Sequence, residues 1–326
     1  MSVAAWAAGV LARRPFNALA QVTNRCNMRC PFCDFWPNGA PREELSAAEW
    51  ARVARELSGL GTFLVSVEGG EPLVRPDLPE IIHGFRAAGH LPILYTNGWF
   101  MDEERVAALV AAGVHQVGVS VDFPDAARHD AMRRTPGAFE RAIAAVERLE
   151  GALGGRRVHL MSVLMRENQH DLEALFQRSA ALGVGHHVTL LSDQGFRRGK
   201  LDDATRPDAA VMAGLPALAR RYGHVCSFRS YLEGIPRFLG DGALPRCRAG
   251  FQSFNIDHVG QVAACIETLD RPVGSVREAS MATLAARLKT ADVGRGCQAC
   301  WTLCRGTATA LGQGGGLKDW VDLRRM

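Results

Sequence analysis

With 326 residues, 47% of them hydrophobic and 22% charged, and a formal net charge of +4, the chain has the balance of a globular protein: one large domain, or a main domain with a smaller one. The charge is too mild to point to nucleic acid as a partner. No apolar run approaches the ~18 residues of a membrane helix.

The first stretch, 1–15, predicts a short N-terminal helix. Its apolar run precedes Arg13 and Arg14, the reverse of the order in a secretory signal, so the expected location is the cytoplasm. From 16 to 192 the sequence alternates. Strand-like runs at 18–23, 63–68, 92–96, 116–122, 158–165 and 187–191 are separated by helical stretches near 46–60, 77–89, 102–112, 136–150 and 170–182. Ser46 and Glu49 have the form of a capping box, and Asp102 with Gly113 brackets a later helix. Such alternation predicts an α/β fold with parallel strands and right-handed crossovers. The sheet is either open and doubly wound or a partial barrel, and in both cases the chemistry belongs at the C-terminal ends of the strands. After 192 the alternation stops. A helix is expected over 207–222. "FQSFNI" and "QVAACI" flank "DHVG", a hairpin turn with Gly260 at positive φ. "GQGGG" (312–316) reads as a link before a short final helix.

The nine cysteines are odd in number and clustered. In a reducing compartment this favours metal or redox chemistry over disulfides. Cys26, Cys30 and Cys33 form C-x3-C-x2-C directly after the first strand. Pro31 opposes a continuous helix there, so the cysteines sit on a loop at a strand's C-terminal end. Three thiolates can hold three irons of a [4Fe–4S] cluster and leave the fourth open to an outside ligand. The alternative is zinc, which needs a fourth ligand nearby, and the stretch holds no histidine.

With Phe32 just before the last cysteine, this spacing resembles the signature of the radical S-adenosylmethionine (SAM) superfamily. The resemblance continues in chain order through "EGGEP" (68–72), "YTNG" (95–98), "VSVD" (119–122) and "HDAMR" (129–133). It implies a partial (β/α)6 barrel over 16–225 that binds SAM on the open iron. It also implies Gly69, Gly70 and Glu71 at the methionine amino group, with Phe32 and Asn97 nearby. Ser120 and Asp122 would lie near the ribose, and Arg133 near the methionine carboxylate. The residue types suit these roles. Glycine lets backbone come close, a carboxylate meets an ammonium, and strand-end hydroxyls and carboxylates bond hydroxyls. Each also has a structural reading: a tight turn for Gly69-Gly70, a satisfied hydroxyl for Ser120, a solvated face for Arg133 and Arg134. The implied activity is reductive cleavage of SAM to a 5′-deoxyadenosyl radical that takes a substrate hydrogen. A reducing partner such as flavodoxin or ferredoxin would supply the electron.

Residues 226–326 resemble the SPASM or twitch extension of that superfamily. Cys247 precedes the hairpin, and Gly260 and Cys265 fit G-x4-C. The hairpin brings Cys265 back beside residue 252. Cys247 would then lie ~16 Å away on an extended chain, so a bend is expected at Ala249-Gly250. Cys297, Cys300 and Cys304 follow. Five cysteines are fewer than a full SPASM domain carries, which implies one auxiliary [4Fe–4S] cluster on Cys247, Cys265, Cys297 and either Cys300 or Cys304. A zinc-ribbon-like site is the alternative. An auxiliary cluster implies electron transfer during oxidation, dehydrogenation or crosslinking. The short run ahead of Cys26 favours a small-molecule or short-peptide substrate. Cys226 reads either as a buried small hydrophobe or as the hydrogen donor of a redox-neutral peptide epimerase. Arg197, Arg198 and Lys200 either bind an anion or form a solvated loop. A non-catalytic iron–sulfur or zinc protein is the competing class.

Overall fold

A computed structural model describes residues 15–37, 43–192, 203–240, 244–291, 297–312 and 319. The expected N-terminal and final helices and the Arg197–Lys200 loop lie outside the described residues.

The first part of the chain runs β1 (Asn17–Thr23), α1 (Ala47–Leu60), β2 (Leu64–Gly69), α2 (Leu78–Ala87), β3 (Leu91–Thr96), α3 (Glu103–Ala112), β4 (Gln116–Ser120), α4 (Ala126–Arg133), α5 (Ala138–Leu153), β5 (Val158–Leu164), α6 (Leu172–Ala181) and β6 (Gly185–Leu190). All six strands pair in parallel, each with its sequence neighbour. β1 is buried along its whole length after Asn17, as expected where both sheet faces are covered. Helix α1 shows why the sequence gives helix here. Ser46 and Glu49 form the capping box, Gly61 closes the far end at φ 83°, and Trp50, Val53, Ala54 and Leu57 make one buried stripe. Trp50 meets Phe85 of α2 at 5.9 Å between ring centroids, which ties the helix layer together.

Helix α4 was not expected from periodicity. Only His129 and Arg133 on it are buried, and Asp125 caps it by accepting from Arg128 N. A polar helix of this kind has no apolar stripe to read.

The remainder comprises α7 (Ala209–Met212), α8 (Leu215–Arg221), α9 (Arg229–Gly240), β7 (Ser253–Ile256), β8 (Gln261–Ala263), β9 (Gly274–Ser275), α10 (Met281–Thr290) and α11 (Leu303–Gly312). The single helix expected over 207–222 is two short ones, with Pro216 in the first turn of α8. β7 and β8 form the expected antiparallel hairpin, with Gly260 at φ 89°. β7 also pairs in parallel with β1, from Asn17↔Ser253 to Ala20↔Ile256. The extension therefore continues the main sheet, giving nine strands in the order β6-β5-β4-β3-β2-β1-β7-β8-β9. The other edge, β6, is covered by residues 224–231. Cys226 N donates to His186 O (2.8 Å), Ser227 Oγ accepts from Val188 N (3.1 Å), and Tyr231 Oη accepts from Leu190 N (2.8 Å). Among the described residues no helix is long and apolar enough to cross a membrane.

Candidate iron–sulfur and SAM site

Cys26, Cys30 and Cys33 lie on the loop that leaves the C-terminal end of β1. The loop is held by Cys33 N and Trp36 Nε1, both donating to Cys30 O (3.2 and 3.1 Å). The cysteines pack on an apolar pad of Met28, Phe32, Phe123, Met165 and Leu191. The last three follow β4, β5 and β6, so the strand ends converge on the thiols. Burial pushes the Cys26 thiol up to about 12 and also raises Cys30. Thiols in such a place need a cationic centre to exist as thiolates.

The second strand end closes against this loop. A Cβ on Gly69 would lie 2.2 Å from Thr23 O, and one on Gly70 2.2 Å from Arg25 O. These two glycines thus admit the backbone of the cysteine loop itself. Glu71, 1% exposed, accepts from Thr96 Oγ1 (2.7 Å), Asn97 N (2.7 Å) and Leu73 N (3.1 Å). Burial raises its carboxyl, and these donors oppose the rise. Its bonds pin the end of β3 to the end of β2. Asn97 Nδ2 then donates to Asn27 Oδ1 (2.9 Å), between Cys26 and Cys30. No motif or spacing pointed to Asn27.

Asp122, fully buried beyond β4, accepts from Val163 N (2.9 Å) and from Arg133 Nη2 (2.5 Å). Arg133 Nη1 lies 3.8 Å from Cys30 Sγ, and its guanidinium sits 5.5 Å from the Phe32 ring centre. Ser120, half-buried, is the last residue of β4. Apart from Ser120, the residues named from sequence for SAM therefore come together around the cysteine loop. Three buried polar atoms there, Asn24 Oδ1, Asn27 Nδ2 and Arg133 Nε, have no protein partner.

The C-terminal cysteines share a local pattern. The backbone N–H two residues on donates to Cys247 (from Ala249, 3.5 Å), Cys265 (from Glu267, 3.4 Å) and Cys297 (from Ala299, 3.4 Å), and the N–H of Thr302 does so to Cys300. Cys26 receives the same bond from Met28 (3.4 Å). Donors aimed at sulfur favour thiolate. Cys265 interacts electrostatically with Cys300 and Cys247, and Cys247 with Cys297. Burial pushes Cys300 up to about 11 and also raises Cys247 and Cys265. The expected bend is at Gly250, φ 84°, where its N–H donates to Ser253 O (2.7 Å). Arg305, 4% exposed, ties the segment down by donating to Cys300 O (2.5 Å), Pro245 O (2.7 Å) and Gln298 Oε1 (3.0 Å). An arginine right after the last cysteine was the only sequence signal for it. Cys304, in the first turn of α11, packs with Cys33 and Cys265 around Leu19, Phe35 and Ile266.

Cys226 is elsewhere. It lies beside His186 at the start of β6, 4% exposed, with Sγ donating to His224 O at 3.2 Å. A hydrogen donor must face the C-terminal strand ends, so the expectation of Cys226 as that donor is corrected. Local sequence does not tell which end of a strand a lone cysteine adjoins.

The Radical SAM superfamily model matches residues 20–178, the stretch that carries this loop and its strand ends. These residues form a radical SAM domain. The chain is 34% identical over 189 residues to an AdoMet-dependent heme synthase of Methanosarcina barkeri (57% of this chain, 53% of the relative). It is 28% identical over 277 residues to an AdoMet-dependent heme synthase of Nitratidesulfovibrio vulgaris (79% and 75%). A PqqA peptide cyclase of Gluconobacter oxydans is 32% identical over 173 residues (52% and 48%). The match thus spans about half the length of the first and third of these relatives. Streptococcus suis SuiB bound to precursor peptide SuiA shares the fold, with a TM-score of 0.67 at 16% identity over 84% of this chain and 65% of that one. A radical SAM domain implies SAM and one [4Fe–4S] cluster. The donor set fits both: soft thiols over an apolar pad, and partnerless polar atoms beside them.

Proposed function

We propose that the protein is a radical SAM enzyme that oxidises an organic substrate, with an auxiliary [4Fe–4S] cluster on Cys247, Cys265, Cys297 and Cys300. When bound, the front cluster and SAM supply a 5′-deoxyadenosyl radical, at the expense of one electron from a flavodoxin- or ferredoxin-like donor. Cys26, Cys30 and Cys33 hold that cluster. Arg133 places positive charge beside Cys30, and the Glu71–Asn97–Asn27 chain sets the loop's shape. The substrate would give one hydrogen atom to that radical, which becomes 5′-deoxyadenosine. It then gives up one electron, for which the four C-terminal thiols would hold an acceptor, and one proton to solvent. The observation that carries this reading is the repeated N–H donation to those four sulfurs, the same contact that Cys26 receives in the front loop. The electrostatic nearness of Cys300 to Cys265 and Cys247 supports it as the fourth ligand.

One relative that matches along 79% of this chain is a heme synthase, so iron tetrapyrroles are the first substrates to try. The PqqA peptide cyclase likeness supports short peptides as the second class. Anaerobic reconstitution should give about eight irons per chain. The triple variant Cys26→Ala/Cys30→Ala/Cys33→Ala should keep about four and make no 5′-deoxyadenosine. Continued SAM cleavage by that variant overturns the assignment.

A further inference from the structure

At the end of the sheet opposite the cysteine loop, the start of β5 and β6 brings two histidines and a cysteine together. In the parallel register His159 stands opposite Gly185, and Met161 opposite His187. Side chains alternate along a strand, so His159, Gly185 and His187 share one face. His186 takes the other face, where it packs on Phe176 and bonds Ser179 Oγ (3.1 Å). Cys226 enters from the segment that covers β6. Donor atoms of His159, His187 and Cys226 all lie within 4.8 Å of one another, and the two imidazole centroids are 4.9 Å apart.

Gly185 makes this meeting possible. A Cβ there would come within 2.2 Å of His159 Nδ1 and 3.0 Å of Cys226 Sγ. The histidines are also left unsatisfied. His159 is 3% exposed and neither of its ring nitrogens has a partner, and His187, 7% exposed, has none at Nδ1. An unpartnered buried polar atom is costly, and one nitrogen of each ring lies within 4.8 Å of the other and of Cys226 Sγ. His224 is not part of the set, since its Nε2 is engaged by Phe176 O and Ser179 Oγ (both 2.9 Å). A cavity of about 490 Å³ opens beside the group, lined by Arg156, His159, Gly185, His224 and Cys226 among others.

We propose that His159, His187 and Cys226 bind one zinc ion, with the fourth position facing this cavity. Two imidazoles and a thiolate form a borderline-soft set suited to zinc, and three protein ligands with one open position is the arrangement zinc takes where it binds water or an exogenous ligand. Burial keeps both imidazoles neutral, as ligation requires. Binding releases the Cys226 proton, now given to His224 O. The site stands five residues down β5 from Leu164, ~16 Å from the strand ends that carry the cysteine loop. It is thus separate from the radical chemistry.

The test uses the full chain with its iron sites reconstituted first, then one equivalent of zinc sulfate, then desalting. We expect one zinc retained per chain. Its extended X-ray absorption fine structure should report two imidazole nitrogens at ~2.0 Å and one sulfur at ~2.3 Å. His187→Asn and Cys226→Ser should lose the zinc and keep all the iron. No retained zinc, or an all-sulfur shell from zinc on the C-terminal thiols, overturns the proposal. The spectrum of the unaltered protein decides even where a variant fails to fold. Iron and 5′-deoxyadenosine measured in the same sample report separately on the radical SAM reading.

Discussion

Replacing Gly70 by alanine tests why the second strand ends in a glycine pair. The new Cβ would sit 2.2 Å from Arg25 O, 2.7 Å from Arg25 C and 2.8 Å from Asn24 O, whereas ordinary contact begins at 3.4 Å. All three are backbone atoms, so no side chain can swing aside. The loop must retreat by roughly 1 Å, which is enough to spoil two bonds, Gly70 N to Thr23 O (2.8 Å) and Glu71 N to Arg25 O (2.9 Å). Two lost backbone bonds amount to about 1–3 kcal/mol, and overpacking costs a similar amount. Cys26 is the next residue, so the displacement reaches the first thiol. Urea unfolding should show a loss of about 2–6 kcal/mol, and reconstitution should lose the front cluster while the C-terminal iron stays. Gly59→Ala is the control: it lies in α1 with nothing within 4 Å, and should be neutral or stabilising by up to ~1 kcal/mol. A Gly70→Ala protein with full iron and wild-type SAM cleavage would refute the reasoning.

Three other outcomes are expected. Cys300→Ser should halve the iron content and Cys304→Ser should leave it unchanged; the reverse would move the fourth ligand to α11. Asp122→Ala leaves the Arg133 guanidinium buried without its anion and should cost ~3–5 kcal/mol in urea unfolding, part of it recovered in Asp122→Ala/Arg133→Met. An undiminished single variant would show the pair to be dispensable. His129, 1% exposed, is pulled down to about 4, chiefly by burial and then by Arg133. The unfolded chain takes up that proton first, near pH ~6.5. Stability is therefore fully present above that pH and falls as the pH drops towards 4, by up to ~1.4 kcal/mol per unit. His129→Gln should flatten the slope between pH 6.5 and 4.5, and an unaltered slope would assign it to other groups.

Local chemistry made much of this legible. The six parallel strands are apolar runs closed by glycines and capped helices, and the hairpin at Asp257–Gly260 follows from its turn residues. The cysteine spacings placed both thiol sets. Less legible was whatever depends on distant partners. Nothing in "SFNI" says that it joins β1. The carboxylate of Glu71 was expected to face an ammonium, but Thr96 and Asn97 occupy it, because burial demands donors and the β3 end supplies them. The His159–His187 meeting depends on the β5–β6 register, which no spacing within either strand encodes.

The pairing of β1 with β7 also bears on how the protein is made. β1 is synthesised well before one of its two neighbours, which begins only at Ser253. Until then its edge is an open template for other strands, the situation in which nascent chains aggregate. The apolar contact of Leu19 and Phe35 with Ile266 is missing for the same interval. The loop of Cys26, Cys30 and Cys33 can be tied by Glu71 and Asn97 long before that flank is covered. The order of translation thus leaves a period in which assembly factors can reach the first thiols from a side that the finished protein closes.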